Sequence, residues 1–264
     1  MTLHPPTRRR RTALAIGGAL AVVLAVTLGI TRPWSPPAET APVAAAEHGI
    51  SPVALTLPDD PEVLVFGDSW TYGSAATVPT DGYAYRLARL IPGDTVVRGV
   101  RGSGYQRPGL DGPDFLTRVG ELESWIDPDL IILQGSINDR LSDAAAYPAA
   151  VNAVWDAVVA KYPGVPIVIL GPAPHELPVG ASTARIDRDL ADLAAARGWW
   201  YISPVQEDWI TEANYLQLID VGAGRRHPSD AGHAYLAEKV SAVLERFRTA
   251  PVTAADEAKP KPAK

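Results

Sequence analysis

Val63-Leu64-Val65-Phe66-Gly67-Asp68-Ser69-Trp70 is the stretch on which the fold turns. Four apolar residues, two of them β-branched valines, predict a short buried strand. Gly67-Asp68-Ser69 then makes a tight polar turn. Open α/β sheets carry their chemistry at the carboxyl ends of the strands, so a serine here lies on the reactive edge. Taken alone, the triplet is a weak signal, and an ordinary strand followed by a turn accounts for it equally well.

Outward from this strand, the same alternation recurs. Residues 80–91 have helical apolar spacing and stop at Pro92-Gly93. Residues 95–97 read as a second strand leading into the glycine-rich loop 98–105, and 114–126 as a helix. Residues 129–134 form a third strand that ends in Gly135-Ser136-Ile137-Asn138-Asp139. A helix over 143–162 must stop at Pro163-Gly164. Residues 165–171 and 199–202 read as strands four and five, separated by a helix at 183–197. The last helix covers 229–248, with Ser229 as its N-cap. Five alternations predict a parallel sheet covered by helices on both faces, in one domain over 56–248.

The flanks differ in character. Arg8 to Arg11 precede the charge-free run 13–30, which as a helix would span about 27 Å, close to the ~30 Å hydrocarbon core of a bilayer. Residues 1–30 are therefore expected to be a cytoplasmic basic tip and a signal anchor. Cleavage near Ala44-Ala45-Ala46, giving a secreted product, is the alternative. Either way the domain is exported. Residues 31–55, rich in Pro and Ala, read as an extended linker, and 249–264 as a disordered tail. The chain of 264 residues carries a net charge of −6, and both flanks are net positive, so the domain itself is more acidic still. That argues against nucleic acid as a partner. The absence of cysteine excludes disulfides, a thiol nucleophile and thiolate metal sites.

Three polar features follow successive strands: Ser69, the glycine loop with Gly102, and Asn138. A fourth, His227-Pro228-Ser229, precedes the last helix. A parallel sheet brings its strand ends to one edge, so these groups can converge into a hydroxyl nucleophile, an imidazole base and oxyanion donors. Each has a plainer reading: Gly102 as a turn residue, Asn138 as a helix cap, His227 as a surface histidine. Their joint placement favours acyl transfer. G-x-S-x-G, H-E-x-x-H, Walker A and G-x-G-x-x-G are all absent.

Gly67-Asp68-Ser69, Gly102, Asn138-Asp139 and His227-Pro228 match, in order, the four blocks of the SGNH (GDSL-type) hydrolases, and the resemblance covers about residues 60–245. It implies a flavodoxin-like three-layer α/β/α sandwich with a five-stranded sheet in the order 2-1-3-4-5. It also implies ester hydrolysis with no metal or organic cofactor. By the same resemblance Ser69 is the nucleophile and His227 the general base. The Ser69 and Gly102 N–H groups and the Asn138 side chain form the oxyanion hole. One departure stands out. The family places an Asp three residues before the His, where this chain has Gly224. Either Asp220 orients His227 from a rearranged loop, or a backbone carbonyl holds the imidazole in a Ser-His dyad. A plainer role for Asp220 is pairing with Arg225 or Arg226.

Trp70 and Tyr105 are candidates to line the substrate site, with core packing as the other reading. Together these features point to an exported esterase or deacylase acting on small O-acyl esters, such as O-acetyl groups of envelope glycans. A lysophospholipase or thioesterase, a glycan O-acyltransferase, and a non-catalytic envelope-binding module on the same fold are the alternatives.

Overall fold

A computed structural model describes residues 53–249. The expected basic tip and apolar run at 1–30, the linker up to residue 52 and the tail from 250 lie outside the described residues. Among the described residues no helix is long and apolar enough to cross a membrane.

Five parallel strands form the central sheet: β1 (Glu62–Gly67), β2 (Asp94–Gly99), β3 (Leu130–Gln134), β4 (Ile167–Leu170) and β5 (Trp200–Ile202). Their spatial order is β2-β1-β3-β4-β5, as expected. Val63 pairs with Leu130 on one side and Thr95 on the other, so β1 is central. The chain reverses direction across the sheet between β1 and β3, and Ser69 follows the end of β1 at that switch point.

The period of two along β1 explains the two cores. Val63 and Val65 face one layer, with Ile132 and Val168 of the neighbouring strands, against α2 (Tyr83–Leu87) and the long C-terminal helix α7 (Asp230–Arg248). Leu64 and Phe66 face the other layer, with Ile131 and Ile169. That side is covered by α3 (Phe115–Gly120), α4 (Tyr147–Lys161) and α5 (Ala181–Ala196). Strands buried on both faces need apolar side chains at every position, and the sheet centre has them. Leu55 closes the bottom of the first layer, its N–H donating to the Phe247 carbonyl at 2.9 Å.

Several elements are shorter than their periodicity predicts. The helix expected at 80–91 divides into a 3₁₀ turn (Pro79–Asp81) and α2, separated by Gly82 in an extended conformation. The helix expected over 114–126 ends at Gly120, and the one expected at 143–162 starts at Tyr147. Ser229 does cap α7, accepting the Gly232 N–H at 3.1 Å. Three small elements escape the sequence pattern: α1 (Ser69–Tyr72), α6 (Tyr215–Leu218), and a hairpin of β6 (Ile219–Asp220) with β7 (His227–Pro228). Each is four residues or fewer, too short for a period to register.

His233 of α7, fully buried, holds the turn after Ser69. Its Nδ1 accepts the Tyr83 N–H at 3.1 Å, and its Nε2–H donates to the Ser74 carbonyl at 3.0 Å. Burial pushes the imidazole pKa down to about 4, only partly opposed by the Ser74 carbonyl. His233→Leu leaves a buried donor and acceptor unpaired and is expected to lose about 2–5 kcal/mol in denaturant titration. A histidine whose pKa is depressed by folding contributes stability above pH 6.5 that is lost on acidification toward 4. The gap between wild type and His233→Leu should therefore narrow by about 3 kcal/mol over that window; a constant gap contradicts the neutral buried imidazole.

Candidate active site

Ser69 is the first residue of α1, directly after β1. Asp68 caps this short helix, its carboxylate accepting the Trp70 N–H at 2.9 Å. Gly67 allows the turn to close. A Cβ there would run into the Thr71 hydroxyl and stand 2.6 Å from Gln134 Oε1. Gln134 at the end of β3 in turn accepts the Thr71 hydroxyl at 2.9 Å and the Asp68 N–H at 3.2 Å. The serine is thus fixed by the two central strands.

His227 reaches Ser69 from the other end of the domain. Its Nε2 lies 2.9 Å from Ser69 Oγ, and its Nδ1 lies 2.7 Å from the Gly224 carbonyl. A carbonyl can only accept, so Nδ1 carries the proton and Nε2 accepts the Ser69 hydroxyl. The same carbonyl also accepts the His227 N–H at 3.1 Å, so two bonds lock the ring to its own loop. Burial lowers the His227 pKa below the ordinary histidine value, with the Gly224 carbonyl acting weakly in the opposite sense.

The expectation that Asp220 orients the imidazole is corrected by this geometry. Asp220 pairs with His227 across the β6–β7 ladder, but its carboxylate turns back to accept the Gly222 N–H at 2.8 Å. Its carbonyl accepts the Arg226 N–H at 2.7 Å. A Cβ at position 224 would stand 2.6 Å from Asp220 Cβ and 2.7 Å from Ala75 Cβ. The room that an acid at 224 would need is occupied by Asp220 itself. Arg226 pairs with Glu176 rather than with Asp220.

Gly102 and Asn138 join Ser69 and His227 around one cleft of about 770 Å³. Gly102 has φ of +76°, a conformation that glycine adopts without strain. Asn138 Nδ2 donates to the Ser103 carbonyl at 2.9 Å and faces Asp68 Oδ2 at 3.5 Å. Its second N–H is therefore only loosely held. All four converge on the carboxyl edge of the sheet. Trp70 and Tyr105 do not. Each is 4 % exposed, Trp70 in the first core layer and Tyr105 in the second. Tyr105 stacks edge-on against Phe115 and Tyr147, and its hydroxyl accepts the Trp155 indole N–H at 3.2 Å. Both side chains pack the core beneath the site, and neither residue lines the cleft.

Two buried ionic side chains shape the site from below. Arg118 of α3 donates to the Gly67 carbonyl at 2.9 Å, to the Arg98 carbonyl at 2.6 Å and to Ser103 Oγ at 3.2 Å. It thereby ties the ends of β1 and β2 to the glycine loop. Its guanidinium lies 4.1 Å above the Phe66 ring centre, and burial lowers its pKa to about 10. In the sequence it looks like the polar face of a helix, and no local signal separates it from a solvated arginine. Asp139 accepts the Tyr105 and Gln106 N–H groups at 2.8 and 3.0 Å, fixing the loop that carries Gly102. Burial also raises the Asp68 carboxyl to about 6, opposed by its bond from Trp70.

A serine bonded to a neutral imidazole, at the switch point of a doubly wound sheet, defines a serine hydrolase of the α/β/α type. Comparison with known proteins gives the family. The GDSL-like Lipase/Acylhydrolase family profile matches residues 65–235, and the chain belongs to that family of serine ester hydrolases. A GDSL lipase of Mycobacterium tuberculosis is 26 % identical over 197 residues, 69 % of this chain and 80 % of that protein. Among solved structures, a carbohydrate acetylesterase family member from Sinorhizobium meliloti superposes with a TM-score of 0.56 at 15 % identity. The match covers 71 % of this chain and 99 % of that one. A two-domain esterase active on acetylated mannans gives 0.57 at 18 % identity, over 77 % of this chain and 53 % of that one. At these identities the two structures share the fold.

The placement of Asp220 and Gly224 predicts an asymmetry between two substitutions. Asp220→Asn keeps an oxygen for the Gly222 N–H and should lower kcat by less than about tenfold, against the roughly 10⁴ that loss of a directly bonded triad acid costs. Gly224→Ala forces the carbonyl away from Nδ1 and should lower kcat more than Asp220→Asn does. Steady-state kinetics on a 4-nitrophenyl ester reads both, and the reverse order contradicts the arrangement.

Proposed function

We propose that this chain is an exported serine esterase that removes small O-acyl groups, such as O-acetyl, from glycans of the cell envelope. The observation that carries the reading is the 2.9 Å hydrogen bond from the Ser69 hydroxyl to His227 Nε2, inside an open cleft shared with Gly102 and Asn138. Ser69 Oγ attacks the ester carbonyl while His227 takes its proton. Negative charge on the carbonyl oxygen falls to the Ser69 and Gly102 N–H groups and to Asn138. The imidazolium returns the proton to the leaving alcohol, and an acyl-serine remains. Water, deprotonated by His227, then attacks the acyl carbon, and the imidazolium returns that proton to Ser69 Oγ as the C–Oγ bond breaks and the acid leaves. Gly224 holds the tautomer throughout, so the reaction runs on a Ser-His dyad.

The glycan reading draws on the mannan-active esterase and the acetylesterase family member that share this fold. The envelope location draws on the basic cluster and charge-free run at 8–30 of the sequence. A lipid ester is the second reading. Leu110, 80 % exposed on the cleft rim, and the lipase name of the mycobacterial relative favour it.

Two measurements test the proposal. A fluorophosphonate probe should label the full chain once and fail to label Ser69→Ala, with acetate released from acetylated glycans faster than fatty acid from lipids. No labelling at all would return the chain to a binding role. In the kinetics, kcat/KM needs neutral His227, whose pKa is lowered by burial. The acid limb should therefore have its midpoint below pH 6.5, and a midpoint above that value argues against His227 as the base.

A further inference from the structure

The cleft contains a cation that the reaction above does not use. Arg225 lines it beside His227, and among the described residues its guanidinium has no carboxylate partner. Its neighbours are accounted for. Arg226 pairs with Glu176, and Arg101, which also lines the cleft, holds Asp111 through two hydrogen bonds of 2.5 and 2.8 Å and lies over the Tyr72 ring. Arg225 sits at φ +51° and Arg226 at φ +65°, both in the left-handed region that glycine adopts more readily; of the two only Arg226 has a carboxylate partner among the described residues. In a protein of net charge −6, an unpaired arginine held in a strained backbone at the mouth of the site calls for a ligand.

Its position says which part of the substrate that ligand belongs to. Arg225 is on the 221–226 loop that carries the imidazole's anchor, two residues before His227. The imidazole protonates the leaving oxygen, so this side of Ser69 receives the alcohol. Gly102, on the far loop with Arg101, marks the side of the carbonyl oxygen. The cleft that Arg225 lines also contains short residues, among them Ala75, Ala76 and Ala223, and its volume of about 770 Å³ is ample for a sugar ring. Asp220, the one acidic residue of the lining, is engaged by the Gly222 N–H.

We infer that Arg225 is a specificity residue that selects esters whose alcohol carries an anionic oxygen group, a carboxylate or a phosphate, within about one sugar ring of the scissile bond. The inference rests on the esterase reading of the same site. A planar guanidinium binds either anion through paired N–H donors, so the chemistry fits an acetylated uronate glycan or an acylated phosphoglycerol alike.

The test compares two matched pairs on the full chain at low salt. Acetylated oligogalacturonide is set against acetylated mannan oligosaccharide, and 1-acetylglycerol 3-phosphate against 1-acetylglycerol. The anionic member of one pair should exceed its neutral partner by about tenfold or more in kcat/KM, mainly through KM, and that pair identifies the anion. The ratio should fall toward one in about 0.5 M NaCl, where screening is short-ranged. It should also collapse in Arg225→Gln and survive in part in Arg225→Lys. A wild-type ratio near one in both pairs overturns the inference, as does a ratio that neither salt nor Arg225→Gln lowers. The salt titration decides the matter even where the glutamine variant fails to fold. Absence of turnover on all four substrates and on 4-nitrophenyl acetate would instead remove the esterase reading itself.

Discussion

The hydrogen bond between Ser69 and His227 joins residues 158 positions apart, and most of the domain serves to make it. Ser69 is set by the end of β1, by the Asp68 cap and by Gln134 on β3. His227 is set by a two-residue hairpin and by the cap of α7, where Ser229 donates its N–H to the Leu218 carbonyl at 2.8 Å. The sheet fixes one partner and the C-terminal helix the other. His233 links the two halves, bonding the turn after Ser69 from a position six residues beyond His227.

The polar groups beneath the cleft follow the same logic. Glycine loops are conformationally free, and a loop that must present an N–H to a transient charge has to be immobilised before the charge appears. Arg118 and Asp139 do this from opposite sides, with all their bonds directed at backbone atoms or at Ser103. Burying these ions costs solvation, which is why Arg118 falls to about 10 and Asp139 rises above the ordinary carboxylate value. What holds the charges in place is a set of fixed dipoles, the backbone groups and Ser103 hydroxyl that they bond.

What could be read from the sequence tracks the range of the interaction. The strands were legible because two-sided burial makes them continuous apolar runs, and the sheet order came with the resemblance carried by Gly67-Asp68-Ser69, Gly102, Asn138 and His227. Helix ends were misjudged where Gly82 and Gly120 interrupt a pattern that composition alone continues. Arg118 and His233 were invisible because nothing local distinguishes a side chain that turns inward to bond main-chain atoms of another element. Trp70 and Tyr105 misled for a related reason. Adjacency in sequence to the serine and to the glycine loop does not fix the direction of a side chain, and on this fold both point down into the layers. The missing acid at 224 is legible as a departure, and a backbone carbonyl is one of the two replacements it allows; which carbonyl, and that Asp220 turns away, depend on the path of the 221–226 loop.

That replacement alters how the work is divided in the proposed reaction. A carboxylate beside Nδ1 would stabilise the imidazolium with a full charge, whereas the Gly224 carbonyl offers only a dipole. Burial lowers the pKa of the ring further. A ring of lower pKa is a weaker base toward the Ser69 hydroxyl and a stronger acid toward the departing alcohol. Attack is then the step that needs help, and breakdown of the tetrahedral intermediate needs less. The help available at attack is the field of the oxyanion donors, fixed from below by Arg118 and Asp139. A dyad of this kind suits an ester, whose carbonyl is open to a modestly activated hydroxyl, better than an amide, whose resonance demands a stronger nucleophile. The carbonyl in place of the acid and the rigid floor under the glycine loop are in this sense one arrangement: what the imidazole gives up in basicity, the donors around Gly102 and Asn138 must supply.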